Sequence, residues 1–345
     1  MAGALDGRVA LVAGATRGAG RGIACMLGAV GATVYCTGRS IRGHIATPGR
    51  TETIEETAER VTLHGGVGIA VRTDHTREAD VAALFERIDA EHGRLDVLVN
   101  DVWGGDALID WNAKFWDIDA DAARTLLERA VLSHLLTSRH GAARMIARGS
   151  GLIVEVTDGD VAGYRGQLLY DLVKASVIRL GYAMAWDLRG SGVTALTVSP
   201  GFLRSETVLD QFAVTEANWR DAIARDPLFA ESETPFYVGR AVAALAADPN
   251  VARHAGAVLF AADLAEQYDF TDIDGRRPHF WRALDARIEA LLSGGALTDE
   301  GRALLQHRYG LIHREPGRAT LALALAAKLG LDDLGSGLAP MARQP

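Results

Sequence analysis

At 345 residues with 48% hydrophobic content, the chain can bury one large core and is slightly long for a single domain. Its formal net charge of −8 argues against nucleic acid as a partner, and no apolar run reaches the roughly 18 residues of a membrane span. Two cysteines, Cys25 and Cys36, give neither a disulfide framework nor metal-ligand spacing, and charged residues from Asp6 onward leave no signal peptide, so a cytoplasmic protein without a metal is expected.

Residues 8–13 read as a short apolar strand, followed by Gly14-Ala15-Thr16-Arg17-Gly18-Ala19-Gly20 and a helical pattern over 21–30. Strand, glycine turn and helix N-terminus together favour a diphosphate, because glycine lets the anion approach backbone N–H groups and the helix end adds partial positive charge. The spacing, Gly-x-x-x-Gly-x-Gly, differs from the common Gly-x-Gly-x-x-Gly fingerprint. The second strand, 33–37, ends at Gly38-Arg39-Ser40, where an NAD-binding protein would present an acid to the ribose 2′-hydroxyl. Between Asp6 and Glu52 there is no acid, while Arg8, Arg17, Arg21, Arg39, Arg42 and Arg50 all fall there. Guanidinium groups suit a 2′-phosphate, so NADP(H) is expected over NAD, with Arg17 and Arg39 as its partners and Arg8 and Arg50 on a solvated face.

Further strand patterns lie at 67–72, 95–100, 151–156, 193–198 and 256–261, with helical patterns between them. Near-continuous apolar runs of this kind predict an α/β protein, a doubly wound parallel sheet of Rossmann type with about seven strands and helices on both faces. Gly14, Asp74, Asn100, Thr157 and Pro200 all fall at strand C-termini, so one cleft can gather them.

Tyr170 and Lys174 are four residues apart and share one face of a helix, and Thr157 lies 13 positions upstream of Tyr170. An ammonium beside a phenol favours the phenolate and brings its pKa toward neutral, while a nearby hydroxyl can orient a carbonyl oxygen. The three residues therefore read as a proton-transfer set.

With these motifs in order, residues 5–262 resemble the short-chain dehydrogenase/reductase family. Gly14, Gly18 and Gly20 match its glycine loop, Asp74 (with His75 beside it) the acid that meets adenine, and Asn100 the first Asn of its Asn-Asn-Ala-Gly turn. Thr157, Tyr170 and Lys174 match its catalytic Ser, Tyr and Lys. Pro200-Gly201, with Ser205 for the usual Thr, matches the turn that meets the nicotinamide amide. Thr16 and Ser40 join the expected cofactor contacts. The chain departs at Asp101-Val102-Trp103, which puts an indole near the cofactor, and at Ala130, where the family often has a relay Asn; Ser133 or His134 could replace it.

The resemblance implies hydride transfer between NADP(H) and a carbonyl or secondary alcohol of a small, bulky or apolar molecule, in a homodimer or homotetramer packed through Leu172, Val177, Leu180, Ala183 and Trp186. Residues 202–235 are expected to form a substrate lid on the 1–262 domain, with Trp103, Asp158, Phe202 and Trp219 lining the substrate pocket. Residues 263–345, which match no part of the family pattern, read as a helical extension packed on that domain, with helices around 280–292 and 320–331. Two other readings stay open. Asp158 and Asp160 would suit a non-redox lyase or epimerase using the same acid–base pair, and the departures would suit a non-catalytic NADP-sensing module.

Overall fold

The computed structural model describes residues 3–159 and 164–293, with isolated positions beyond. In chain order the first half is β1 (Val9–Ala13), α1 (Gly18–Ala29), β2 (Thr33–Gly38), α2 (Ile54–Leu63), β3 (Val67–Arg72), α3 (Glu78–His92) and β4 (Val97–Asn100). Then α4 (Ala120–Leu127) passes through a π turn at Glu128–Leu132 into α5 (Ser133–Arg148), followed by β5 (Gly151–Val156), α6 (Leu168–Asp187) and β6 (Val193–Ser199). The remaining elements are β7 (Phe202–Leu203), α7 (Glu206–Phe212), β8 (Ser232–Glu233), α8 (Pro235–Ala247), β9 (Val258–Phe260), α9 (Ala261–Gln267) and α10 (Phe280–Ser293).

Seven strands make one parallel sheet in the order β3-β2-β1-β4-β5-β6-β9. Each strand expected from the sequence is present, and the doubly wound class is as expected. Winding reverses between β1 and β4, which are paired from Ala10–Val97 to Ala13–Asn100, so a crevice opens at their C-terminal ends.

Alternation along each strand splits the core into two layers. Val9 and Leu11 of β1 pack with Val81, Phe85 and Ile88 of α3 on one face. Ala10 and Val12 pack with Ile23 and Leu27 of α1 and Val238 and Val242 of α8 on the other. In β5 the same parity puts Leu152, Val154 and Val156 on the α1/α8 side and Ile153 on the α3 side. That parity determines where Glu155 and Thr157 point. Helices α1 and α8 approach unusually closely because both carry glycine at the crossing: a Cβ on Gly22 would lie 1.9 Å from the Pro235 carbonyl oxygen.

One feature was not read from the sequence. A two-stranded parallel pair, β7 with β8, ties both ends of the 202–235 segment together. The helix expected around 280–292 is α10, and it packs back on the sheet domain: the Phe280 ring lies 5.6 Å from Phe202, Trp281 lies 5.3 Å from Phe260, and Leu284 and Ile288 are buried. The helix expected at 320–331 falls almost wholly outside the described residues.

Candidate active site

The glycine turn is shaped by steric demand. Gly14 has φ +91° and a Cβ there would sit 2.3 Å from the Asp101 carbonyl oxygen, while Gly18 has φ +55° as α1 begins. The Gly18 N–H already holds an anion, the Glu206 carboxylate, at 2.9 Å. A turn that binds a carboxylate at a helix N-terminus has the donors a diphosphate needs, so the residues fit a dinucleotide.

A cleft of about 430 Å³ runs from this turn to α6. Thr16, Arg17, Gly18, Arg39, Ser40 and Asp74 line its nucleotide end; Trp103, Trp111, Tyr170 and Lys174 line the other. Among the basic residues of the acid-free segment, Arg8 pairs with Asp96, Arg21 with Glu56, Arg42 with Glu59, and Arg50 with Glu52 and Asp210. Arg17 lies 3.8 Å from Asp106, and Arg39 makes no ion pair among the described residues. The two arginines singled out from the sequence are thus the least committed.

Other expected cofactor contacts are bonded to the protein's own groups, some at the cleft wall and some in the interior. His75 is buried, with Nδ1 2.9 Å from Thr137 Oγ1 and Nε2 2.8 Å from Thr37 Oγ1, and burial drives its pKa down to about 3, leaving it neutral. The Asp74 carboxylate accepts from the Thr76 N–H and hydroxyl at the cleft wall. Asn100 Nδ2 donates to Ser138 Oγ and to Glu155 Oε1, and Gly201 N–H donates to Glu233. Ser205 lines the cleft and caps α7 by accepting from Val208 N–H.

Sheet parity sends Glu155 toward α5, where its Oε2 is 2.6 Å from His134 Nδ1; His134 Nε2 is 3.0 Å from the Val102 carbonyl oxygen. Both ring nitrogens thus face oxygen atoms, an arrangement that favours the doubly protonated ring. Burial opposes a charged ring, and Glu155 together with the Val102 carbonyl and Asp101 offsets it, for a net upward pKa shift. Of the two residues considered in place of the relay Asn, His134 borders a void of about 10 Å³, one water in size, next to Lys174, Asp101 and Ala130. Ser133 instead donates to the Arg129 carbonyl. Burial raises the Asp101 carboxyl to about 7, with Lys174 and His134 acting against that rise.

Tyr170 and Lys174 meet as expected, yet the electrostatics differ. Lys174 Nζ sits 4.4 Å over the Trp103 ring and 5.5 Å over the Tyr170 ring, and Trp103 meets Tyr170 edge-on at 5.5 Å. The Tyr170 hydroxyl donates to Asp158 Oδ2 at 2.7 Å. Burial and then the Asp158 charge push the phenol pKa well above its ordinary value, opposite to the expected direction. Lys174 is itself pulled below its ordinary value by burial. Thr157 is buried, and its hydroxyl donates to the Lys174 carbonyl oxygen at 3.0 Å, continuing the inward parity of Ile153 and Glu155. Asp158, one residue on, is the neighbour of the phenol. Asp160 lies outside the described residues.

The aromatic lid expectation needs correction. Phe202 and Trp219 do not line the cleft: with Phe212 and Phe229 they form a small core of their own, and Trp219 is flanked by Arg204 at 4.3 Å and Arg276 at 4.6 Å. The cleft is bordered instead by Leu203, Ser205, Glu206 and Val208 of the same segment. Sequence reasoning missed Glu206, Trp111, Arg129 and Asp101; the last is flagged only by standing where the family has its second Asn.

The profile of the family described as short chain dehydrogenase matches residues 8–214. The chain is 37% identical over 299 residues to "Dehydrogenase/reductase SDR family member 1" of Mus musculus, covering 85% of this chain and 92% of that relative. It is 32% identical over 244 residues to "Cis-4-hydroxycyclohexanecarboxylate dehydrogenase" of Sinomonas cyclohexanicum, covering 70% of this chain and 90% of the other. A short chain dehydrogenase structure from Mycobacterium thermoresistibile shares the fold, with TM-score 0.65 at 20% identity over 78% of this chain and 90% of that one. The chain belongs to the short-chain dehydrogenase/reductase family of oxidoreductases, which use nicotinamide nucleotides. The mouse match takes in more of the chain than residues 1–262 contain, so part of the extension has a counterpart there. No helix among the described residues is long and apolar enough to cross a membrane.

Proposed function

We propose that the protein is an NADP(H)-dependent dehydrogenase/reductase acting on a secondary alcohol or its carbonyl in a compact, largely apolar molecule. The observation that carries this reading is a cleft that joins the glycine turn to Tyr170 and Lys174. Bound there, the nicotinamide would supply or accept hydride at the substrate carbon.

The chain's own residues do the rest. Gly14, Gly18 and Gly20 let the diphosphate reach the α1 N-terminus, and Arg39 with Arg17 favours a 2′-phosphate. Tyr170 holds the reacting oxygen through its hydroxyl, and Lys174 places a positive charge beneath it. Trp103, Trp111 and Ile109 give that end an apolar wall, which suits a ring-bearing or branched substrate. The Sinomonas relative, named for a hydroxycyclohexane carboxylate, is consistent with that class.

Asp158 beside the phenol keeps a non-redox acid–base reaction as the second reading. The two are separated by following nicotinamide absorbance with a panel of secondary alcohols and ketones: stoichiometric nucleotide turnover supports the redox reading, and product without it supports the other. We also place a subunit interface on α6, where Leu172 and Trp186 are 47% and 54% exposed; Val177, expected in that interface, is core.

A further inference from the structure

We infer that Glu233 is a proton-controlled clamp on one wall of the cleft: uncharged, its side chain holds the chain at Gly201 so that Leu203, Ser205 and Glu206 border the cleft, and ionised, it releases them. The clamp acts on the shape of the cleft and is the same whichever reaction takes place there.

Glu233 stands where three elements meet. It ends β8, which pairs with β7, and its backbone carbonyl accepts from the Arg204 N–H at 2.8 Å. Its side chain reaches the residue just before β7: Oε2 accepts from the Gly201 N–H at 3.0 Å. A Cβ on Gly201 would stand 2.9 Å from that oxygen and 3.1 Å from Cβ of Phe280 in α10. Glycine there lets the carboxyl and α10 close on the same turn. Leu203, Ser205 and Glu206 follow directly and line the cleft.

The clamp holds because the carboxyl is buried and its charge would be unbalanced. Glu233 is 1% exposed, and its Oε1 has no hydrogen-bond partner among the described residues. Arg204, beside it on the β7 side, is engaged by Glu216, Ser232 and Asp274. From the chain after α9 comes a second acid, Asp272, whose carboxylate accepts from the Thr234 N–H and hydroxyl. Tyr237 is the titratable neighbour on α8, and α10 meets the turn through Phe280, which carries no charge. A carboxylate placed there would have one N–H donor and no free cation, so the carboxylic acid is the favoured form. Burial pushes the Glu233 carboxyl up to about 8; the Gly201 N–H and Arg204 act against that rise and Asp272 adds to it.

A carboxyl raised from its unfolded value near 4 takes up a proton on folding. Folding is therefore favoured most below about pH 4 and progressively less as pH rises to about 8.

The test compares the full-length protein with Glu233→Gln, which keeps the shape of the uncharged acid and cannot ionise. Urea midpoints of the two should coincide near pH 4 and separate as pH rises, the glutamine variant gaining at least about tenfold in folding constant by pH 8. Hydrogen exchange of the peptide spanning 201–206, read at the same pH in both proteins, reports on the wall itself. The two should exchange alike at about pH 6, and wild type at least about tenfold faster at about pH 9. A stability gap that does not change with pH would make Glu233 a packing residue, and equal exchange at both pH values would show that the wall does not follow its charge; either result overturns the clamp.

Discussion

The Glu206 carboxylate accepts from the Gly18 N–H at 2.9 Å, at the helix N-terminus where a dinucleotide diphosphate would bind. The contact joins residues 188 positions apart and brings the start of α7 against the glycine turn. A diphosphate entering the turn has to displace that carboxylate and then sits near its charge. Glu206→Gln should therefore tighten NADPH about three- to tenfold, matching the ~1 kcal/mol of an anion at a helix N-terminus. Isothermal titration of the two proteins measures it; weaker binding by the glutamine variant would mean that Glu206 supports the turn instead of competing for it.

Arg39 should decide between the two nucleotides. It borders the cleft at the end of β2 and no carboxylate pairs with it among the described residues, unlike Arg21, Arg42 and Arg50. Charge-assisted bonds to a phosphate are worth about 1.5–3 kcal/mol, so Arg39→Ala should weaken NADPH at least about tenfold and leave NADH nearly unchanged. Paired Kd values for both nucleotides check this. Equal losses would remove the 2′-phosphate role.

Asp96, at the entrance to β4, tests the fold independently of the chemistry. Burial by itself would raise its pKa, but bonds from Arg94, the Val9 N–H, Arg8 and Arg148 reverse that and hold the carboxyl at about 2. A carboxyl depressed from its unfolded value near 4 contributes stability that is complete above pH 4 and fades as pH falls toward 2. Asp96→Asn should lose about 2 kcal/mol at pH 7, read from urea midpoints, and the gap from wild type should close between pH 4 and pH 2. A gap that persists at pH 2 would assign the effect to packing.

The sheet was legible because its central strands are buried on both faces and so read as near-continuous apolar runs such as Val9–Ala13 and Leu152–Val154. Glycine positions with positive φ gave the nucleotide turn. The site's proton chemistry was less legible for a geometric reason. Thr157 and Asp158 both bond α6 just past the end of β5, one at the Lys174 carbonyl and the other at the Tyr170 hydroxyl, and counting back from Tyr170 cannot say which one meets the phenol. Likewise, hydrophobicity alone could not show that Phe202 and Trp219 satisfy each other's neighbours within 202–235 and leave the cleft to Leu203 and Val208. The His134–Glu155 pair was half visible: His134 stood out on its helix, but its partner lies on a strand 21 residues later.

The most direct test of a nicotinamide-dependent site at Tyr170 is turnover by Tyr170→Phe, followed at the nicotinamide absorbance band, alongside its dinucleotide Kd. Removing a hydroxyl that holds the reacting oxygen should cut turnover at least about 100-fold, with Kd within about threefold of wild type. Wild-type turnover by the phenylalanine variant would contradict the account.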